Sequence, residues 1–270
     1  MKMKIGFIGV GNMAKAIIQG WLKANAVSPN EIVIHSAHPS NYEKYAAKYG
    51  LQSAKNNIEV VQQADLLCLA VKPQTLTKVL QEIRTTVVQQ HSIIISMVTG
   101  FSLKQLEQSL QNHDLKILRI MPNVNVEINA GMTALAGNRN LSATDFELCQ
   151  NLIGKLGQTM EIAEKDFSLF VALAGSSPAF IYLFIDAMSR AGVKYGFNKQ
   201  QATKIAAQAV LGSAQKVLAS DEQTPWDLID AVSSPGGTTI AGLLAMEEAG
   251  FMTSVIKGID ATIAKDQGKD

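Results

Sequence analysis

Short apolar runs alternate with amphipathic stretches through the first half of the chain. Five runs are continuously apolar, which is typical of strands buried on both faces of a parallel sheet. They cover residues 5–9, 32–35, 66–71, 92–98 and 115–121, and residues 133–137 are a candidate for a sixth strand. Apolar positions at helical spacing predict helices over residues 13–25 and 42–49, the second ended by Gly50. This alternation predicts an α/β fold with a doubly wound parallel sheet.

The pattern changes near residue 162, where strand signals stop and helices follow one another. Helix starts are indicated at Ser177-Pro178, at Asn198 and at Thr224-Pro225. The first of these helices is expected to end at Gly192, and Gly236-Gly237 interrupts the later part of the series. The second half is therefore predicted to be all helical.

One predicted helix of the second half is apolar on every side. Residues 180–185 are Phe-Ile-Tyr-Leu-Phe-Ile and leave no polar face. A small helical domain cannot cover so much apolar surface by itself, so burial against a second copy is the simplest solution. We therefore expect a sheet domain over residues 1–161, an all-helical C-terminal dimerisation domain over residues 162–270, and a homodimer at least.

The composition indicates a globular protein with no affinity for nucleic acid. Of the 270 residues, 47% are apolar and 17% are charged, and the formal net charge is only +1. No apolar run approaches about 18 residues and no convincing signal peptide is present, so we expect no membrane span and a cytoplasmic location. Cys68 lies in an apolar run and is interpreted as a buried structural thiol. His and Cys show no metal-ligand spacing, so no metal site is expected.

A glycine-rich string follows the first predicted strand and opens the first predicted helix. Gly9-Val10-Gly11-Asn12-Met13-Ala14 has the G-x-G-x-x-A spacing of the dinucleotide fingerprint of Rossmann-type sheets. Gly9 allows the tight turn, and Gly11 lets the backbone approach a pyrophosphate at the helix N-terminus. A glycine-rich turn without a ligand is the alternative. The position between strand and helix favours a cofactor site that includes Gly9, Gly11, Asn12, Met13 and Ala14.

The end of the second strand favours NADP as the cofactor. NAD sites usually place Asp or Glu there, about 20 residues after the glycines, to bind the ribose. Here the strand ends in His35-Ser36-Ala37-His38, with no acidic residue and with Lys44 nearby. A carboxylate would repel the 2′-phosphate of NADP, so its absence favours NADPH, with His35 and Ser36 as candidate contacts. NADH stays open as a second cofactor, and so does a loop with no binding role.

Together with the fingerprint, three further strings resemble the pyrroline-5-carboxylate reductase family. They are residues 70–74, Ala-Val-Lys-Pro-Gln, residues 121–123, Met-Pro-Asn, and residues 233–239, Ser-Ser-Pro-Gly-Gly-Thr-Thr. The resemblance covers about residues 4–265, and the last string is its most specific element. The chain departs from the family pattern after Asn123, within residues 174–179, and in having no arginine shortly after the second strand.

The resemblance implies a reaction and the residues that serve it. It implies that hydride passes from NADPH to the imine carbon of 1-pyrroline-5-carboxylate and gives L-proline, the last step of proline biosynthesis. It also implies interleaved helical domains in a dimer, with a larger ring of dimers left open. The implied cofactor contacts are Asn57, Ala70, Val71, Lys72, Pro73 and Met121. The implied substrate contacts are Asn123, Ser234, Gly236, Gly237, Thr238 and Thr239.

The residue types of the last string suit a small imine that carries a carboxylate. Backbone N–H groups around Gly236, Gly237 and Thr238, at a helix start, can bind the carboxylate. The hydroxyl of Thr239 can hydrogen-bond the ring nitrogen, which becomes more basic as hydride arrives, so Thr239 is the candidate catalytic residue. From residue types alone, a plain turn with ordinary helix capping is the commoner use of such a string.

Two other functions stay open from the sequence. A β-hydroxyacid dehydrogenase would share the opening and the helical second domain. Enzymes of that kind resemble one another in a lysine on the first long helix of that domain, and residues 180–190 contain none. A non-catalytic NADP-binding protein is the third hypothesis, and an assay of proline formation would separate it from a pyrroline-5-carboxylate reductase.

Overall fold

The computed structural model describes residues 3–268. The chain divides into two compact units, the first ending at Gly175 and the second beginning at Ser176. The first unit carries one eight-stranded sheet. Its strands are β1 Ile5–Ile8, β2 Ile32–His35, β3 Gln52–Ser53, β4 Leu66–Leu69, β5 Ile93–Ser96, β6 Ile117–Pro122, β7 Gly131–Gly137 and β8 Gly157–Glu161.

Helices connect most of these strands. They are α1 Asn12–Lys23, α2 Pro39–Tyr49, α3 Asn57–Gln63, α4 Pro73–Gln90, α5 Leu103–Leu110, α6 Ala143–Gly154 and α7 Phe167–Phe170, with 3-10 turns at Pro29–Glu31, Val124–Ile128 and Glu164–Asp166. The spatial strand order is β3-β2-β1-β4-β5-β6-β7-β8. The chain therefore runs outward from β1 in both directions, which confirms the doubly wound topology predicted from the sequence.

One pair of strands departs from the parallel sheet that the sequence predicts. β7 runs antiparallel to β6, with Met121 opposite Ala134, whereas the other neighbouring strands pair in parallel. The connection from Pro122 to Gly131 is too short for a parallel crossover, which needs about a dozen residues or more. β3 and β8 carry too few apolar residues to have been predicted, because β3 has only two residues and β8 is largely exposed.

Both faces of the sheet are covered by apolar side chains, which explains the continuous apolar runs. In β4, Leu66 and Cys68 belong to the cluster on one face, and Leu67 and Leu69 belong to the cluster on the other. The indole N–H of Trp21 donates a 2.9 Å hydrogen bond to the carbonyl oxygen of Leu152, which ties α1 to α6 beneath the sheet. The sheet domain thus has a complete core of its own.

The segment after β8 packs on the sheet before the chain enters the second unit. Phe167 and Phe170 of α7 are buried in a cluster with Met121 of β6. A π-helical turn, Val171–Gly175, follows α7 directly. The boundary between the two compact units therefore falls after Gly175, whereas the sequence predicts a domain boundary between residues 161 and 162.

The described residues of the second unit form helices and their connections. The helices are α8 Ser177–Lys194, α9 Lys199–Leu218, α10 Pro225–Val232, α11 Thr238–Glu248 and α12 Phe251–Asp266. Asn198 caps α9 by accepting a hydrogen bond from the Gln201 N–H, and Thr224 forms a capping box with Asp227. These helix starts confirm the predictions made from capping residues.

The predicted end of α8 at Gly192 was wrong. The helix continues through this residue to Lys194. A Cβ at Gly192 would lie 2.9 Å from the Cβ of Ala202 on α9. The glycine thus permits close packing of two helices, whereas Gly196, at φ +104°, follows the end of α8.

The second unit leaves most of its apolar surface exposed. Leu183 of α8 is 71% exposed and Tyr182 is 56% exposed. Among the described residues, α10, α11 and α12 contain no buried side chain. A helical unit of this composition lacks a core sufficient for its own stability, which agrees with the sequence-based expectation that another surface covers it.

One helical stretch, Glu164–Lys194, is long and apolar enough to cross a membrane by length and composition. The helices α11 and α12 meet the same criterion only together, and they are bent by 49° at their junction. Length and composition alone do not establish that a helix crosses a membrane, so the expectation of no membrane span stays a prediction. The stretch is not one uninterrupted apolar run, because Ser176 and Ser177 lie within it.

Candidate active site

The carboxyl ends of β1, β2 and β4 meet at one edge of the sheet. Ile8 pairs with His35 on one side and with Leu69 on the other. The N–H of Gly9 donates to the His35 carbonyl at 2.9 Å, and the N–H of Ala70 donates to the Ile8 carbonyl at 2.9 Å. The strand order reverses between β1 and β4, and such a switch point is where doubly wound sheets bind dinucleotides. The fold thus brings together three of the predicted cofactor segments.

Gly9 occupies a position that no other residue fits. Its φ is +96°, and a Cβ there would stand 2.5 Å from the carbonyl oxygen of Ala70. Gly11 differs, because a Cβ there would meet nothing within 4 Å. The space in front of Gly11 is therefore open to a ligand, as the fingerprint requires of its second glycine.

The N-terminus of α1 can accept an anion. Gly11 is its N-cap and supplies no side-chain hydrogen bond, and no acidic residue lies in the first turn. Asn12 is exposed and Met13 half-buried, so their backbone N–H groups open the helix at this edge. Ala14 is buried at 1% exposure and packs in the core, as expected of the third small residue of the fingerprint. These features fit the pyrophosphate of a dinucleotide.

At the end of β2, one ring nitrogen of His35 is held by contacts within the protein. Its Nδ1 lies 3.1 Å from the Ala54 carbonyl oxygen and 3.2 Å from the Tyr42 hydroxyl, which itself donates to the Ala54 carbonyl. A carbonyl oxygen can only accept, so the contact with Ala54 requires the proton on Nδ1 and leaves Nε2 for a ligand. Ser36, the next residue, is half-buried at the same edge.

Two further predicted cofactor segments lead into helices α3 and α4. Asn57 is the first residue of α3, and its amide donates a 2.8 Å hydrogen bond to Glu82 of α4. Its neighbour Asn56, which the sequence analysis did not single out, caps the helix by accepting from the Glu59 N–H at 2.8 Å. The signal that could have found this cap is Asn56 followed by an acid three residues later.

The string that follows β4 leads directly into α4. Val71 is half-buried, whereas Lys72 and Pro73 are exposed. Lys72 is the N-cap of α4, and its carbonyl oxygen accepts a 3.0 Å hydrogen bond from the Thr75 N–H. Lys72 therefore lies at a helix start and is exposed at the carboxyl edge of the sheet.

Met121 and Asn123 lie at the carboxyl end of β6, and both are buried. The Asn123 Oδ1 accepts hydrogen bonds from the N–H groups of Asn125 at 3.2 Å and Met132 at 3.4 Å. Its Nδ2 donates a 3.0 Å hydrogen bond to the Ala174 carbonyl. All three bonds are to backbone groups of the first unit.

The predicted substrate string forms a tight turn and a helix start in the second unit. The Gly237 N–H donates a 3.0 Å hydrogen bond to the Ser234 carbonyl. Gly236 has φ +68° and follows Pro235, the residue pattern of a type II turn. A Cβ at Gly237 would stand 2.6 Å from the Ser234 Oγ and 3.0 Å from the Ser234 carbonyl oxygen, so a side chain here would crowd the turn.

The helix that begins after this turn has free N–H groups. Gly237 is the N-cap of α11 and makes no side-chain capping bond, while Thr238 and Thr239 are its first two residues and are exposed. Within the described part of the chain, the buried Ser233 Oγ has no hydrogen-bond partner. An uncapped helix start beside an unsatisfied hydroxyl is suited to a small anionic ligand.

A buried charge cluster at β6 was missed by the sequence analysis. The Arg119 Nη1 lies 2.9 Å from the Glu164 Oε1, and that oxygen also accepts a 2.7 Å hydrogen bond from the Leu103 N–H. The guanidinium carbon lies 4.4 Å from the centroid of the Phe167 ring. The only sequence signal was an arginine inside an apolar run, and its partner on another element became evident only in the fold.

An open dinucleotide fingerprint at the switch point of a Rossmann-type sheet, followed by a helical unit, defines the class of nicotinamide-dinucleotide oxidoreductases. The family model of coenzyme F420-dependent NADP oxidoreductases matches residues 4–100, and that of pyrroline-5-carboxylate reductase dimerisation matches residues 164–269. The pyrroline-5-carboxylate reductase of Escherichia coli K12 is 40% identical over 267 residues, 99% of this chain and 98% of the relative. The chain therefore belongs to the pyrroline-5-carboxylate reductase family.

Solved structures and more distant relatives agree with this assignment. The 1-pyrroline-5-carboxylate reductase of Streptococcus pyogenes is 42% identical with a TM-score of 0.87, and each chain is covered to 98%. The Plasmodium falciparum pyrroline carboxylate reductase, solved with NADP bound, is 28% identical with a TM-score of 0.89 over 99% of this chain and 98% of that one. The rat pyrroline-5-carboxylate reductase 3 is 33% identical over 97% of this chain and 94% of the relative.

Proposed function

We propose that the protein reduces 1-pyrroline-5-carboxylate to L-proline with NADPH, the last step of proline biosynthesis. The observation that carries this proposal is that one chain has both an open dinucleotide fingerprint and an uncapped helix start at Gly237, and is similar along nearly its whole length to enzymes of this name. The structure solved with NADP bound supports the choice of cofactor.

The sheet domain would hold the cofactor, which supplies the hydride when bound. The free N–H groups at the start of α1 bind the pyrophosphate charges, and Gly11 leaves room for their approach. At the end of β2, the hydroxyl of Ser36 can donate to a 2′-phosphate, His35 lies next to it, and no carboxylate there repels the phosphate. Asn57, the residues Ala70 to Pro73, and Met121 border the rest of the cofactor at the carboxyl edge of the sheet.

The loop over residues 233–239 would hold the substrate. Backbone N–H groups at the start of α11 bind the carboxylate, because this helix N-terminus has no side-chain cap of its own. The Thr239 hydroxyl donates to the ring nitrogen, whose basicity rises as the imine becomes an amine. By binding the carboxylate and the ring nitrogen, the loop would hold the imine in a fixed orientation for hydride transfer.

The assembly proposed is a homodimer at least, which can also be a unit of a larger ring. A domain of the dimerisation family and the exposed apolar faces of α8 support it, because a second copy would cover them. A second copy would also cover the apolar stretch Glu164–Lys194, so this stretch does not need a membrane to bury it. Because the formal net charge is only +1, we further propose a cytoplasmic enzyme without nucleic-acid partners. We retain residues 162–270 as the dimerisation domain, since the family match begins at residue 164.

A steady-state assay of the purified protein with 1-pyrroline-5-carboxylate and each nicotinamide cofactor tests the proposal. Formation of proline, with consumption of NADPH in equal amount, is expected. Cofactor binding without turnover would instead indicate a non-catalytic NADP-binding protein. Oxidation of a β-hydroxyacid in place of imine reduction would indicate the dehydrogenase alternative.

A further inference from the structure

The π-helical turn between α7 and α8 contains a carbonyl group that the helix itself cannot satisfy. The carbonyl oxygen of residue 174 would accept a hydrogen bond from the N–H of residue 178 in an α-helix and from that of residue 179 in a π-helix. The Ala179 N–H donates instead to the Ser176 carbonyl at 3.1 Å. Residue 178 is Pro178, which has no N–H. The Ala174 carbonyl therefore lacks its regular helical donor, in a stretch where the path from Glu164 to Lys194 is otherwise helical.

The side chain of Asn123 supplies the missing donor. Its Nδ2 lies 3.0 Å from the Ala174 carbonyl oxygen. Asn123 is only 6% exposed, and its Oδ1 is held by the N–H groups of Asn125 and Met132. These two bonds fix the orientation of the amide, so that Nδ2 points at Ala174. The amide of Asn123 thus replaces the N–H that proline removes.

Apolar packing supports the same junction. Met121, two residues before Asn123, is buried in a cluster with Phe167 and Phe170, and Val171 and Ala174 of the π-helical turn pack against that cluster. The carboxyl end of β6 and the π-helical turn are therefore joined by one oriented hydrogen bond and one apolar cluster. A buried polar group held in this way is costly to leave unpaired.

We propose that Asn123 is a positioning residue for the reduction, in place of the substrate contact that family resemblance implies. Its amide compensates for Pro178 and fixes the π-helical turn Val171–Gly175 against the end of β6, where Met121 borders the cofactor. This inference rests on the proposed function. Loss of the bond displaces the turn, and displacements of about 1 Å near reacting groups can lower a rate by about 100-fold.

A double-mutant cycle tests the proposal. Asn123→Ala should lower kcat by about 10- to 100-fold, with a smaller change in KM for the imine. Pro178→Ala restores a backbone N–H opposite Ala174, so it should be nearly silent alone and should return most of the lost kcat when combined with Asn123→Ala. Pro225→Ala is the matched control, because Pro225 is the first residue of α10 and should rescue nothing.

A second variant separates the donor from the rest of the side chain. Asn123→Asp keeps the oxygen that accepts from Asn125 and Met132 but replaces the donor by an acceptor. Its activity relative to the unmutated enzyme should be lowest at alkaline pH and should rise as pH falls, because a protonated carboxyl can donate to the Ala174 carbonyl. Circular dichroism and thermal unfolding establish that each variant is folded.

The outcomes distinguish positioning from direct binding. An increase in KM for the imine at unchanged kcat, with no rescue by Pro178→Ala, would mean that Asn123 binds substrate and would overturn the proposal. Full activity of Asn123→Ala would overturn it as well. If the unmutated protein fails to reduce the imine, the proposed function is wrong. Amide hydrogen exchange then still tests whether the hydrogen bond from Asn123 to the Ala174 carbonyl fixes the π-helical turn. Exchange at residues 171–177 should be faster in Asn123→Ala and slower again in the double variant.

Discussion

Gly9 packs against the backbone of Ala70, so closely that a Cβ added to Gly9 would stand 2.5 Å from the Ala70 carbonyl oxygen. This contact joins the turn after β1 to the turn after β4 and so forms the floor of the proposed cofactor site. Because the position of a Cβ is fixed by its own backbone and the carbonyl oxygen is a backbone atom, no side-chain rotation can relieve the clash.

Gly9→Ala should therefore damage the fold as well as the site. The left-handed φ of +96° and the clash together should cost at least about 2 kcal/mol and lower Tm by roughly 4–8 °C. Gly11→Ala is the matched control, since its Cβ meets nothing within 4 Å. It should retain the original Tm but weaken NADPH binding, measured by fluorescence titration. Equal Tm values for the two variants would contradict this reasoning.

The acid-free end of β2 predicts a higher kcat/KM with NADPH than with NADH. Ser36→Asp should shift the ratio toward NADH, because a carboxylate repels the 2′-phosphate and can bind the ribose hydroxyls. This variant is a cleaner test than His35→Asp, which would also remove the hydrogen bond to Ala54 and place a negative charge beside that carbonyl. Equal or better turnover of the unmutated enzyme with NADH would refute the preference.

The exposed face of α8 predicts that the smallest stable form is a dimer. Leu183→Glu should dissociate it, because Leu183 is 71% exposed in the single chain and a charge at the covered face would be buried without a partner. Phe184→Glu should have a stronger effect, since Phe184 also packs against Phe251 with ring centroids 5.7 Å apart. Lys204→Glu, at an exposed position of α9, serves as the charge control. Sedimentation that shows an active monomer at micromolar concentration would exclude the prediction.

The hydroxyl of Thr239 is predicted to act in the transition state. Thr239→Val keeps the shape of the side chain and removes one hydrogen bond. The expected loss is roughly 1.5–3 kcal/mol, or about 10- to 150-fold in kcat/KM for the imine. NADPH affinity should hardly change, because the dinucleotide fingerprint lies in the first unit. Full kcat/KM in a well-folded Thr239→Val dimer would reduce the loop to a helix cap.

The two cysteines are predicted to be unreactive in the folded protein. Cys68 is 1% exposed and Cys149 is 0% exposed. Burial raises the pKa of Cys149 to about 12 and raises the pKa of Cys68 as well, so both stay protonated at around pH 8, where thiolates are needed for reaction. A disulfide reagent should label neither thiol until guanidinium chloride unfolds the chain. Rapid labelling of the native enzyme would contradict this.

Much of the fold could be predicted because the determining signals are local. The apolar runs of β1, β2, β4, β5 and β6, the turn glycines and the capping residues Asn198 and Thr224 act through their own neighbours in the chain. The fingerprint Gly9–Ala14 and the string over residues 233–239 were likewise evident as strings. Local signals of this kind determine strands, helix starts and candidate ligand segments without knowledge of distant contacts.

Other features were decided only by the tertiary structure. The antiparallel β7, the continuation of α8 through Gly192 beside Ala202, and the ion pair of Arg119 with Glu164 depend on residues far apart in the chain. The same is true of Asn123, which family resemblance implies as a substrate contact and whose amide meets the Ala174 carbonyl in the fold. The sequence by itself determined five buried strands of the sheet, the starts of α9 and α10, and the two candidate ligand segments. The tertiary structure decided which polar groups satisfy one another, because a hydrogen bond depends on distance and direction in space, and neither is encoded in local periodicity.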